Sequence, residues 1–225
     1  MQSFLKNLSN NKDPNSLANK LRRKRFSLFL NLIKDLPKPI QIIDVGGTEL
    51  FWEQMGFSGN PDIEITLLNL KSEPVKNPNI KSISGDARDM KQFAEKEFDI
   101  AFSNSVIEHV GDFNDQGRMA AEMKRIARGI FLQTPNYYFP VEPHFLFPFF
   151  QFMPLWLKTR LLMNFNLGWH TRISDKEKAR EICRTIRLLK KSELKKLFPE
   201  SEIHKEYFFG MVKSFIVKQK IAPEN

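Results

Sequence analysis

The sequence predicts a doubly wound α/β fold with a mostly parallel sheet and helices on both faces, and three observations predict it. Short β-branched runs alternate with segments of helical spacing along most of the chain. The polar residues that stand out in the first half fall at the carboxyl ends of those runs, where such sheets bind ligands. A length of 225 residues suits one well-buried domain and leaves little room for a second core.

The elements follow in order. Residues 1 to 14 are polar, with Asn10-Asn11-Lys12-Asp13-Pro14, and read as a frayed terminus. A helix is expected from Ser16 to Lys34, its leucines 17, 21, 28 and 32 on one face, until Pro37 and Pro39 stop it. Ile40 to Val45 is a buried strand that turns at Gly46-Gly47. Ile63 to Leu70, Ile80 to Asp86 and Phe98 to Asn104 are the second, third and fourth strands, with a short helix expected over Met90 to Lys96. Met119, Met123 and Ile126 place a helix over Arg118 to Ala127, before a fifth strand at Gly129 to Thr134.

The pattern changes at Pro135. From there to Leu157 the chain holds five prolines and nine Phe, Tyr or Trp residues, too many prolines for a regular element and too many aromatics for a solvated loop. A basic helical stretch around Ser174 to Leu189 follows. Ser192 to Phe198 reads as a capped helix closed by Pro199. Ile203 to Phe208 and Val212 to Lys218, around Gly210, form a terminal antiparallel pair. The chain divides into an N-terminal helix (16–36), a first half (40–134), a lid region (135–190) and a closing helix with its strand pair (191–220), all in one domain (1–225).

Composition narrows the function. Hydrophobic residues at 41% and charged residues at 27% exclude a wholly disordered chain. The single Cys183 excludes an internal disulfide and a multi-cysteine zinc site. None of the four histidines stands in ligand spacing with another, so no metal is expected. The start has no charged leader followed by an apolar run, and no window of about 18 apolar residues occurs. The expectation is a cytoplasmic protein, with peripheral membrane contact left open. The net charge of +9 is densest at Lys20 to Arg25. A solvated helix face, an anionic-lipid contact and a nucleic-acid contact are its three readings; the last lacks an aromatic-interleaved recognition motif, so nucleic acid is not the expected partner.

The strand ends carry the candidate site. They are Asp44 with Gly46 and Gly47, Asn69, Asp86 with Ala87, and Asn104. Glycines let the backbone approach a ligand closely. An amide at Asn69 suits a ribose diol, and the carboxylate of Asp86 suits an exocyclic amine. In Ile43-Asp44-Val45-Gly46-Gly47-Thr48, Leu67-Leu68-Asn69-Leu70, Gly85-Asp86-Ala87-Arg88 and Phe98 to Val110, the chain resembles the class I S-adenosylmethionine-dependent methyltransferases, in particular the bacterial small-molecule and lipid methyltransferases of the 11/23 type.

That resemblance implies a seven-stranded Rossmann-like sheet and S-adenosylmethionine as cofactor. Gly46 and Gly47 would then lie at the methionine part, Asn69 at the ribose, Asp86 with Ala87 at the adenine, and Asn104 beside the sulfonium. Two departures stand out: Asn69 replaces the usual acidic residue, and Thr48 to Trp52 replaces the usual third glycine. Gly-x-Gly-x-x-Gly is absent, which argues against a nicotinamide dehydrogenase.

The acceptor is expected under the segment after strand five, where His144 is the candidate general base and Glu142 its orienting partner. His144 could equally fix the lid through the backbone. Glu108 and His109 read as structural or adjacent to the cofactor. The aromatic run from Phe145 to Trp156 reads as core, as a pocket for a small-molecule or lipid-like acceptor, or as a membrane-facing surface. A protein of this fold that binds the cofactor without turnover, and a nucleic-acid methyltransferase, are the alternative functions.

Overall fold

A computed structural model describes residues 17–221, with side chains from Arg22 onward. The polar stretch before residue 17 and the side chains of Leu17 and Leu21 lie outside the described residues.

Seven strands form one sheet: β1 (Ile40–Val45), β2 (Ile63–Asn69), β3 (Ile80–Ser84), β4 (Phe98–Asn104), β5 (Ala127–Pro135), β8 (Glu202–Phe208) and β9 (Met211–Gln219). Their spatial order is β3-β2-β1-β4-β5-β9-β8. Strands β1 to β5 run parallel, while β9 is antiparallel to both β5 and β8. Strand order reverses between β1 and β4, the place beyond whose carboxyl ends sheets of this kind bind ligands.

Alternation along the strands feeds two cores. Ile43, Val45 and Ala101 pack with Met119, Met123 and Ile126 of α3 (Phe113–Ile126) and with Leu194 and Leu197 of α6 (Lys191–Leu197). On the other face Ile42, Ile100 and Phe102 meet Phe26 and Phe29 of α1 (Leu17–Ile33) and Trp52 of α2 (Glu49–Gln54). The doubly wound expectation holds, and its physical basis is a sheet with both faces covered.

Several local expectations change. The buried face of α1 is Phe26, Phe29 and Ile33; Leu28 and Leu32 are only half-buried at its flank. Aromatic packing selects this face, because Phe29 contacts Trp52, Phe102 and Phe131 within one cluster. The residues after Gly47 form α2, and its Trp52 is fully buried.

Met90 to Lys96 is a series of turns rather than a helix. Side chains of α3 bind its backbone: Glu122 accepts the Met90 N–H at 2.7 Å, and Arg125 donates to the Met90 and Phe93 carbonyls. Those groups are then unavailable to a helical ladder. Asp112 caps α3 through the Asn114 and Asp115 N–H groups. Helix α6 starts at Lys191, one residue before the expected Ser192, with Glu193 accepting the Lys190 N–H at 2.8 Å.

The lid region is more regular than its prolines suggest. It contains a small hairpin, β6 (Val141–Glu142) and β7 (Phe147–Pro148), then α4 (Leu155–Asn164) and α5 (Lys176–Arg184). Phe145, Phe150, Leu162, Leu167, Ala179 and Cys183 give it its own small core.

Candidate active site

The turn after β1 is folded over a buried carboxylate. Asp44 is 1% exposed, and its Oδ2 accepts a hydrogen bond from Trp52 Nε1 at 2.8 Å. Its Oδ1 has no partner among the described residues. Burial pushes the Asp44 pKa up to about 7, with the Trp52 bond pulling the other way.

Gly46 has φ +83°, and a Cβ there would fall 2.4 Å from Val106 Cγ2. A Cβ on Gly47 would fall 1.7 Å from Asp44 Oδ2. Both glycines are therefore demanded by the packing of the turn itself. Asn69 Nδ2 donates to the Gly47 carbonyl at 2.9 Å, which leaves Oδ1 as its remaining acceptor.

The other strand ends are engaged as well. Arg88 spans both oxygens of Asp86 through Nε and Nη2, and the Arg88 N–H adds a third donor. The Arg88 guanidinium holds the Asp86 carboxyl below its usual range. Ala87 is partly buried against the α3-side core. Asn104 Oδ1 accepts from Arg25, whose guanidinium also donates to Gln133 Oε1 at 3.0 Å and pairs with Glu206.

Arg25 was the signal hidden in the basic cluster. It shares the inward side of α1 with Phe26 and Phe29, and reading Lys20 to Arg25 as one outward face conceals it. Arg22 is half-buried too, and burial together with the neighbouring Arg25 charge lowers its pKa. The next residue after Asn104, Ser105, adopts φ 59° and is tied to Gln133 by its N–H and its hydroxyl. A non-glycine residue in that region stores strain, which its neighbours must hold.

A second polar group sits where the segment after β4 meets the lid. Glu142 is 2% exposed, and its Oε2 accepts the backbone N–H groups of His144 and Phe145 at 2.8 and 2.7 Å. Its Oε1 lies 2.6 Å from His144 Nδ1. The fully buried Glu108 accepts from Thr134 Oγ1 at 3.0 Å through Oε2, while its Oε1 has no partner and lies 3.9 Å from His144 Nε2.

Burial opposes a charge on His144, yet the Glu142 hydrogen bond and the negative charges of Glu142 and Glu108 outweigh it and raise the His144 pKa. Burial pushes Glu108 up to about 7. His109 is exposed, and its ring stands at right angles to that of His144 with 4.7 Å between centroids. Loss of water on its His144 side, and then the His144 charge, push His109 down to about 4. Donor atoms of Glu108, His109 and His144 all lie within 4.8 Å of one another. Chain spacing gave no hint of this group, because His144 arrives from the lid.

A cavity of about 330 Å³ lies under the lid, lined among others by Tyr137, Glu142, Phe145, Lys158, Arg187 and Lys190. It adjoins Glu142 and is lined by none of Gly46, Asn69, Asp86 or Asn104. It therefore belongs to the lid side of the molecule rather than to the glycine turn.

Comparison with known proteins fits this geometry. Residues 49–130 match the sequence model of a methyltransferase domain. Over that stretch the chain is similar to methyltransferase domains.

Two uncharacterized proteins of Mycobacterium tuberculosis are 40% identical to this chain over 57 residues, which is 25% of this chain and 20% of each relative. The match thus spans about a fifth of the length of those curated relatives. Among solved structures, the CurJ carbon methyltransferase superposes with a TM-score of 0.58 at 12% identity, over 92% of this chain and 56% of that one. The PH0226 protein from Pyrococcus horikoshii OT3 gives 0.56 at 13% identity, covering 99% of this chain and 100% of that one. A SAM dependent methyltransferase from Aquifex aeolicus gives 0.51 at 11% identity, covering 99% of each chain. At such identities the likeness is one of fold.

The matched domain implies S-adenosylmethionine as cofactor, and the residues of this chain fit it. The unpartnered Asp44 Oδ1 suits an ammonium donor, the glycine turn presents bare backbone, and Asn69 Oδ1 suits a hydroxyl.

Proposed function

We propose that this protein transfers a methyl group from S-adenosylmethionine to a small-molecule or lipid-like acceptor held under the lid. The observation that carries the reading is the turn at the switch point of the sheet, where a buried carboxylate with one unpartnered oxygen lies beneath two glycines. In this reading residues 40–134 hold the cofactor. Gly46 and Gly47 lie at its methionine part with Asp44, Asn69 at the ribose, Asp86 and Ala87 at the adenine, and Asn104 beside the sulfonium.

Residues 135–190 hold the acceptor. Glu142 orients His144 through Nδ1, and Nε2 is the ring atom that serves the acceptor's nucleophile as a base when no cation is bound there. Two features support an amphipathic acceptor. The cavity under the lid combines Phe145 and Phe150 with Lys158 and Lys190. Tyr138, Phe149, Trp156 and Trp169 of the lid region are each more than half exposed, which is costly in water unless they meet something apolar. No helix among the described residues is long and apolar enough to cross a membrane, so such an acceptor would be met at a surface.

The test is calorimetric titration of the protein with S-adenosylmethionine beside the Asp86→Ala variant. Saturable binding is expected, weakened in the variant by about 0.5–1.5 kcal/mol for loss of one partly exposed hydrogen bond. Absence of binding by the unsubstituted protein at millimolar cofactor overturns the reading.

A further inference from the structure

We infer that Glu108, His109 and His144 form a binding site for one divalent first-row transition cation, with an open coordination position facing the acceptor. Two independent observations meet here. The first is geometric: two imidazoles and a carboxylate offer donor atoms within 4.8 Å of one another, the His₂-carboxylate set of an open catalytic zinc-type site. The second is an orphan. Glu108 is fully buried, yet its Oε1, the oxygen on the His144 side, has no hydrogen-bond partner. A buried carboxylate oxygen is costly to leave bare, and a cation is the partner that suits it best.

The distances suit a cation. Metal–ligand bonds of about 2.0–2.2 Å set tetrahedral donor atoms roughly 3.4 Å apart. Glu108 Oε1 and His144 Nε2, at 3.9 Å, need to close by about 0.5 Å, and His109, with a donor within 4.8 Å of both, by about 1.4 Å at most. The outer shell is already built. Glu142 engages His144 Nδ1 at 2.6 Å and is itself fixed by two backbone N–H groups, so Nε2 is left as the free ring nitrogen. Thr134 holds the other oxygen of Glu108. A carboxylate behind a ligating histidine is the usual support for such a ligand. Cys183 contributes nothing, since it lies in the separate core of the lid.

The site adjoins the cofactor turn. Val106, on the same segment as Glu108 and His109, packs directly over Gly46. If methyl transfer is the reaction, on which this use of the cation rests, the acceptor nucleophile is a hydroxyl bound at the open position. The cation would favour its deprotonation, the proton leaving to water beside the exposed His109. The oxygen then bonds to the methyl carbon as the carbon–sulfur bond breaks. The electron pair stays on sulfur, leaving neutral S-adenosylhomocysteine and a methyl ether.

The experiment is titration of chelator-stripped protein with zinc(II), followed by calorimetry and by thermal melting, and with cobalt(II), followed by its visible d–d bands. Binding of one equivalent is expected, with a zinc-dependent rise in melting temperature. Glu108→Gln and His144→Gln should each weaken zinc binding at least about 100-fold, and Glu142→Gln about 10- to 100-fold. Glu108→Gln removes a bare buried carboxylate, so its metal-free form should melt no lower than the metal-free parent while losing the zinc-dependent rise. His204→Ala, at the exposed Glu202–His204 pair, should bind zinc as the parent does.

Zinc binding that survives Glu108→Gln and His144→Gln, or no binding at submillimolar zinc, overturns the site. Titrating the metal-free and zinc-loaded forms with S-adenosylmethionine separates the two readings. Cofactor binding with no zinc site sinks only the cation, and zinc binding with no cofactor affinity sinks only methyl transfer.

Discussion

Replacing Arg25 by methionine tests how the N-terminal helix is fastened over the site. Arg25 makes four hydrogen bonds: two to Glu206 at 3.2 and 3.0 Å, one to Gln133 at 3.0 Å and one to Asn104. The side chains of Arg25 and Glu206 are each only 10% exposed, so the pair is shielded from water. Removing one partner of a buried pair leaves an uncompensated charge and costs about 3–5 kcal/mol. For a domain of this size that is a fall of roughly 6–20 °C in melting temperature.

The pH dependence gives a second readout. Burial opposes the Glu206 charge, but Arg25 outweighs it and holds the Glu206 pKa below its ordinary value. In the parent this stabilisation is present above the unfolded pKa and is lost as pH falls through the folded one. In Arg25→Met the Ser214 hydrogen bond and the Lys213 charge remain but the larger Arg25 contribution is gone, so the Glu206 pKa rises and the deficit should shrink as pH falls. Thermal melts of Arg25→Met, of Glu206→Met and of the double variant, across pH 4 to 8, read both effects. The double variant should recover much of the loss, because neither charge is then stranded. A loss under about 1 kcal/mol in the single variant, or a double variant as unstable as the summed singles, would refute the fastening.

Two further outcomes follow from the turn after β1. Gly46→Ala should cost about 1–2 kcal/mol from its left-handed backbone alone, and more because its Cβ would displace Val106. Gly59→Ala, at φ +65° with nothing within 4 Å, supplies the backbone-only comparison, so equal losses in urea unfolding would show that the Val106 contact is soft. For Asp44, a folded pKa of about 7 means that the unfolded chain ionises first. Stability should fall as pH rises from about 4 to about 7, by up to about 4 kcal/mol from this group. Asp44→Asn should flatten that fall in denaturant titrations at several pH values; an unchanged slope would place the titration elsewhere.

The strands and the closing hairpin were legible in the sequence because their cause is local. Ile40 to Val45 and Phe98 to Asn104 are β-branched or apolar runs bounded by turns, and each strand appears over those residues. The Asp44, Asn69, Asp86 and Asn104 positions could be placed at one end of the sheet because parallel pairing aligns all carboxyl ends. Met90 to Lys96 misled because helical spacing says nothing of Glu122 and Arg125, which arrive from another helix and take its backbone groups.

What surrounds each strand end was decided only by the tertiary structure. Arg25 meets Glu206 and Asn104 because α1 lies across the sheet between residues far apart in the chain. Glu108 and His109 meet His144 because β4 and β5 are neighbours and the lid folds back from the end of β5. Sequence periodicity fixes which way a side chain faces relative to its near neighbours. It carries no information about which distant carboxylate or imidazole will share its burial, and the chemistry of this site depends on those distant partners.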